Sequence, residues 1–176
     1  MSLFDHSRKA ARTLALALVL GTSVGLQACQ VQPLYYSGSS THQMLSSVAI
    51  KPVDERVAQE LRNELIFLYS GGAGEPSNPE YQMTLSVRGQ SSRALREDLT
   101  NGISSQRYSA VATYTLTRVS TGEVVSTGKR RVTTFYDQNT QEFAKSRALR
   151  DAETRAAKQL AEIIRADTAA ILSRES

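Results

Sequence analysis

One cysteine, two histidines and a few groups of charged side chains are all the chemistry this 176-residue sequence offers. Cys29 is the sole thiol, so no disulfide can form within the chain, and with two imidazoles the Cys and His spacings of a zinc site are missing. His6 lies near the N-terminus and His42 in a polar stretch, and HExxH, CxxC, GxSxG and P-loop patterns are all lacking. Glu97 and Asp98 are adjacent carboxylates. A general acid and base must stand on opposite sides of a substrate, so neighbours in a polar loop read more simply as a solvated acidic turn. The expectation is a protein that is not an enzyme and that carries no cofactor and no metal.

The remaining chemistry is basic. Arg88, Arg93, Arg96 and Arg107 gather around one polar stretch, and Lys129-Arg130-Arg131 interrupts a strand-like run. On a strand, Lys129 and Arg131 face one side and Arg130 the other. Arginine supplies a planar bidentate fork and lysine a point charge, which together suit phosphate groups. The plainer alternative is a charged sheet edge that resists pairing with other edges. The sequence leaves both open.

Cys29 gains a definite chemistry from what precedes it. Arg8, Lys9 and Arg12 make a basic start, and the apolar run Leu14-Ala15-Leu16-Ala17-Leu18-Val19-Leu20 follows, as in a secretory leader. Gly21, Thr22, Ser23 and Gly25 break the run well short of the roughly 20 apolar residues of a membrane-spanning helix. The leader ends in Leu26-Gln27-Ala28-Cys29, which is similar to the lipobox of bacterial lipoproteins, where the cysteine thiolate takes a diacylglyceryl group. An ordinary cleavage would leave a reactive lone thiol, and thioether formation removes it. Several acyl chains hold such a protein stably, whereas one binds marginally. Gln30, in place of an aspartate, resembles the outer-membrane sorting pattern. Expected boundaries are therefore a signal peptide over 1–28, a lipidated tether over 29–46 and a single domain over 47–176, long enough for one core. The leader holds Arg8, Lys9 and Arg12 against Asp5, which is half of the net charge of +4. Nucleic acid is not an expected partner.

The elements that position these groups follow from periodicity. Val48 to Val53 reads as a short strand ended by Pro52. Asp54 suits an N-cap, and Val57, Leu61, Leu65 and Leu68 recur at helical spacing, predicting a helix over 55–70 that Gly71 stops. Tyr81, Met83, Leu85 and Val87 alternate with polar residues as in a half-buried strand, and a long polar segment runs from Gly89 to about Gln106. Tyr108 to Leu116 alternates again and pairs through the turn Ser120-Thr121-Gly122-Glu123 with 124–136, where Gly128 marks a bulge. Residues 140–172 lack Gly and Pro and predict a long helix with Leu149, Ala152, Ala156, Leu160, Ile163 and Ile171 on one stripe. The expected fold is α+β: a two-layer sandwich with a four-stranded, mainly antiparallel sheet and two helices on one face, in the order β-α-β-β-β-α. The other face is rich in Thr, Ser, Gln and Arg, so it meets water or a wet partner.

Several segments, taken in order, resemble the lipopolysaccharide-assembly lipoprotein family LptE. They are the lipobox, Val31-Gln32-Pro33-Leu34-Tyr35, Ala94-Leu95-Arg96-Glu97-Asp98, Tyr108 through Leu116 with Thr121-Gly122, Phe143-Ala144, Asp151-Ala152 and Arg155 through Ile163. The resemblance implies the fold already read from periodicity. It also implies a plug inside the outer-membrane β-barrel of the lipopolysaccharide translocon that helps the barrel assemble and contacts lipopolysaccharide. Family members make that contact through basic residues near the sheet, for which Arg96, Lys129, Arg130 and Arg131 qualify by type and location. Two other readings are an auxiliary lipoprotein of an ABC-type lipid transport system and a lipid-anchored periplasmic hydrolase. The second needs a nucleophile and base that the sequence does not supply.

Overall fold

Lys51 makes the last ladder bond of the first strand, its N–H donating to the Met83 carbonyl at 2.9 Å, and Pro52, with its fixed φ, follows where the strand stops. This strand, β1 (Val48–Ile50), opens a domain whose structure, a computed structural model, describes residues 40–94, 104–138 and 140–175. The further elements are α1 (Ser40–Ser46), α2 (Arg56–Ser70), β2 (Tyr81–Arg93), β3 (Ser104–Arg118), β4 (Val124–Gln138) and α3 (Glu142–Leu172). The sheet order is β1-β2-β3-β4, with β1 parallel to β2 and the other pairs antiparallel. The expected α+β sandwich is therefore present, with one helix more than expected among the described residues. Residues 40–46 were read as spacer, yet they form α1 and bury Thr41 and Leu45.

Several details depart from the sequence reading. Asp54 is not the cap of α2. Glu55 takes the N-cap position in an extended conformation and makes no side-chain cap bond. The helix ends as expected at Gly71, whose φ of 62° is the left-handed conformation glycine adopts freely. Ala58, Leu61, Leu65 and Tyr69 are its buried stripe, with Val57 and Leu68 only partly buried. The described residues of the polar segment after Gly89 are nearly all strand: the β2–β3 ladder continues from Gly89 opposite Ala110 to Arg93 opposite Gln106. Apolar alternation ends there because the pairing needs only backbone groups once no helix covers the strands. Arg96, Glu97 and Asp98 lie outside the described residues.

The bulge of the β3–β4 hairpin lies at Leu116/Thr117, not at Gly128. Gly128 has a different task. Tyr114 lies across it, and a Cβ there would stand 2.3 Å from the ring's Cζ. The ring is held in place by its hydroxyl, which donates to Asp167 at 3.1 Å.

The core lies between the helices and one face of the sheet. Met83, Leu116, Leu160 and Ile164 are fully buried there. The expected stripe of the long helix holds at Ala152, Ala156 and Leu160, all buried, but it continues through Ile164, Thr168 and Leu172, which are buried too, while Ile163 is 38% exposed. A step of four residues overshoots a full turn by about 40°, so this stripe winds around the helix. Two buried polar bonds fix the layers, Thr134 Oγ1 to the Ala152 carbonyl and Tyr69 Oη to Thr168 Oγ1, each 2.9 Å.

Burial pushes the Tyr108 and Tyr114 hydroxyls up to about 12. An unfolded tyrosine titrates near 10, so the folded chain holds these protons more tightly. Stability is thus complete below about pH 10 and falls as pH rises through 12. Urea denaturation between pH 9 and 12 should show this decline, and Tyr108→Phe and Tyr114→Phe should each flatten it.

Candidate functional site

The face of the sheet away from the helices follows from register. Alternation places the even residues of β2 and the odd residues of β3 and β4 on it. They form cross-strand rows: Thr84–Thr115–Thr127, Ser86–Thr113–Lys129, Arg88–Val111–Arg131 and Gln90–Ser109–Thr133. The face is thus polar, as the sequence predicts, and two arginines flank Val111 in its middle. Their Cα atoms lie two strand spacings apart, roughly 10 Å. Lys129 stands one row away on the same strand as Arg131. Arg88, Gly89, Gln90, Ser109, Val111 and Arg131 line a shallow depression of about 490 Å³, with Glu55 on its rim.

Several cations elsewhere in the molecule are held in ion pairs. Arg56 pairs with Glu60 and Glu153, Arg62 with Glu75, Arg118 with Glu175 and Arg155 with Asp151. Among the described residues, no carboxylate forms an ion pair with Arg88, Lys129 or Arg131, and all three are exposed. Three cations without an ion pair, beside hydroxyl and amide donors and with the single carboxylate of Glu55 in the same depression, leave a net positive charge that can bind an anion carrying more than one phosphate.

The structure divides the Lys129-Arg130-Arg131 run. Arg130 points to the helix side and grips Asp167 of α3 with two bonds, Nε to Oδ2 at 2.7 Å and Nη2 to Oδ1 at 2.9 Å. Hydrogen bonding to Asp167 raises the Arg130 pKa above its ordinary value. Arg130 therefore clamps β4 to α3 and does not join Lys129 and Arg131. Arg130→Ala should lower the melting temperature while leaving binding at the outer face unchanged, which calorimetry on the folded variant would check.

Arg96 lies outside the described residues, as does Cys29. Arg93 faces the helix side of β2, and Arg107 lies on the outer face opposite Phe135, 3.4 Å from the Ser92 hydroxyl. Arg88 was part of the wider basic group but not of the narrower set. Register is what unites it with Arg131, since Val111 is opposite both. The turn at Gly122 anchors the β3–β4 half of that register.

Among the described residues, no group of three His, Cys, Asp or Glu could hold a metal ion, and no helix is long and apolar enough to cross a membrane. A family model described as LptE, lipopolysaccharide-assembly, matches residues 45–168, a span that contains Arg88, Lys129 and Arg131. Among solved structures, a protein of Caulobacter crescentus CB15 described as a lipoprotein is 26% identical with a TM-score of 0.63, covering 78% of this chain and 98% of that one. Rare lipoprotein B of Shewanella oneidensis shares the fold at 12% identity and a TM-score of 0.53, covering 73% and 97%. No curated protein matches the chain significantly.

Proposed function

Because this chain belongs to the LptE family of lipopolysaccharide-assembly proteins, we propose that it is a non-enzymatic, lipid-anchored outer-membrane subunit that plugs the β-barrel lipopolysaccharide translocon and helps insert lipopolysaccharide into the outer leaflet. In this reading Cys29 carries the lipid, the residues between it and α1 are the tether, and the described domain stands within the barrel lumen. The observation that carries the reading is the two-faced sheet. One face supports the whole core, and the other is polar with Arg88, Lys129 and Arg131 unpaired among the described residues. A Thr- and Ser-rich surface suits the polar interior of a large barrel. Uncompensated arginine and lysine suit the phosphates of lipid A.

Affinity purification of the intact lipoprotein from detergent-solubilised outer membrane tests the partner. A large β-barrel should co-purify in stoichiometric amount, and depletion of the lipoprotein should lower the level of mature barrel and of surface lipopolysaccharide. Normal barrel level and normal surface lipopolysaccharide after depletion would overturn the proposal. Exchange of Cys29 for serine should release the protein from the membrane fraction.

A further inference from the structure

Two carboxylates and two guanidinium groups meet around the edge of β2 without pairing. Arg88 and Arg131 share the depression of about 490 Å³ with Glu55, and Glu55 also lines a groove of about 280 Å³ together with Asp54. Among the described residues, Asp54, Glu55, Arg88 and Arg131 form no ion pair, with one another or with any other group. The surface is therefore bipolar, with guanidinium groups on the sheet and two carboxylates at the start of α2.

Backbone bonds hold the acidic pole in place. The Gln59 side-chain amide donates to the carbonyls of Val53 and Asp54, at 3.3 and 3.1 Å, and the Gln59 N–H donates to the Glu55 carbonyl at 2.8 Å. These bonds pin the segment between β1 and α2 through its carbonyls and leave its carboxylates uncommitted. Glu55 stands at the N-cap of α2 yet makes no side-chain cap bond. At the basic pole, the three-strand register sets Arg88 and Arg131 on either side of Val111. Each pole is held by its own element, and the depression shared by Glu55 and the two arginines is open to a group that carries both charges.

We infer that this surface selects a lipid whose phosphate carries an amine a few atoms away, as in a phosphoethanolamine headgroup. The phosphate lies between Arg88 and Arg131, whose planar forks suit its oxygens, with Lys129 one row beyond. The ammonium turns toward Glu55 and Asp54. A purely anionic headgroup gains the arginines but meets the carboxylates, and a purely cationic one meets the reverse, so the two poles together act on selection more than on raw affinity. The inference rests on the reading of Arg88 and Arg131 as a phosphate site and adds the amine as a second determinant. A lipid is the source because the family works in lipopolysaccharide assembly. A soluble phosphate compound with the same two charges is the alternative that the experiment separates.

Calorimetry on the intact lipoprotein in non-ionic detergent, with EDTA present, compares short-chain phosphatidylethanolamine with its N-acetylated form, which keeps the phosphodiester and loses the ammonium. The unmodified lipid should bind about three- to tenfold more tightly. Glu55→Gln combined with Asp54→Asn should abolish that preference at an unchanged melting temperature, since no cap bond or ion pair among the described residues is lost. Arg88→Ala should weaken both lipids alike. Equal affinity of the wild type for the two lipids, or a preference that persists in the double variant, overturns the inference while the phosphate reading stands. Binding that appears only when a divalent cation replaces EDTA does the same, because it assigns Glu55 to a metal bridge. Soluble phosphoethanolamine should compete only at higher concentration than the lipid, and equal potency would overturn the lipid source. If neither lipid binds, the inference falls alone where lipopolysaccharide still binds, and together with the phosphate reading where it does not.

Discussion

Replacing Arg88, Lys129 and Arg131 together by alanine is expected to weaken lipopolysaccharide binding by about ten- to a hundredfold, since charge-assisted bonds to phosphate are among the stronger single contacts a surface can make. The loss should be smaller at high salt, where screening already weakens the wild-type complex. It should also be smaller for lipopolysaccharide stripped of its lipid A phosphates. Stability should change little. These side chains project from the face opposite the core, and among the described residues none has an ion pair to lose. A direct binding assay with both forms of the lipid, at two salt concentrations, separates the possibilities. Equal affinity of the triple variant and the wild type for the phosphorylated form would remove these residues from the site. The Arg130→Ala variant is the internal control, because it removes a guanidinium from the same run of sequence while leaving this face intact.

Leu160→Ala should destabilise the domain by about 2 to 5 kcal/mol, the range for emptying a leucine-sized volume in a packed core. Leu160 is 0% exposed and lies on α3 one turn from Ala156 and Ile164, both also 0% exposed. Against a total stability of roughly 5 to 15 kcal/mol for a domain of this size, such a change removes a sizeable share of the margin. Ile163→Ala, three residues along the helix, should cost clearly less than Leu160→Ala, because Ile163 is 38% exposed and gives up less buried area. Urea denaturation of the two variants tests the rotation of the helix. Equal losses would contradict the observed inward stripe.

That pair of residues shows what the sequence could and could not convey. Strands and helices were legible because alternation and helical spacing are local, and the polar outer face followed directly from the former. The phase of α3 was legible as far as Leu160 and not beyond it. Leu160 and Ile163 are both aliphatic, and which one faces inward depends on how α1, α2 and the sheet share the helix along its length. The strand extensions at 88–93 and 104–107 were likewise hidden. Beyond the helices, pairing is held by backbone groups and leaves no apolar signature. Gly128 was seen as exceptional for the wrong reason, since the ring of Tyr114 that requires it comes from a neighbouring strand. At the candidate site, the opposite orientations of Arg130 and its two neighbours could be read from alternation. The Asp167 that claims Arg130 could not, because it lies on another element. Joining Arg88 to Arg131 required the three-strand register.

The separation of duties between the two sides of the sheet has an evolutionary consequence. Strands β2 to β4 contribute alternate residues to the core and to the outer rows, so few positions serve both. Variation in Ser86, Arg88, Val111, Lys129 or Arg131 can therefore occur without approaching the stability threshold that confines most substitutions. Under the proposed contact with lipid A, a lineage whose surface lipid changes its phosphate pattern has a ready set of positions on which to follow it.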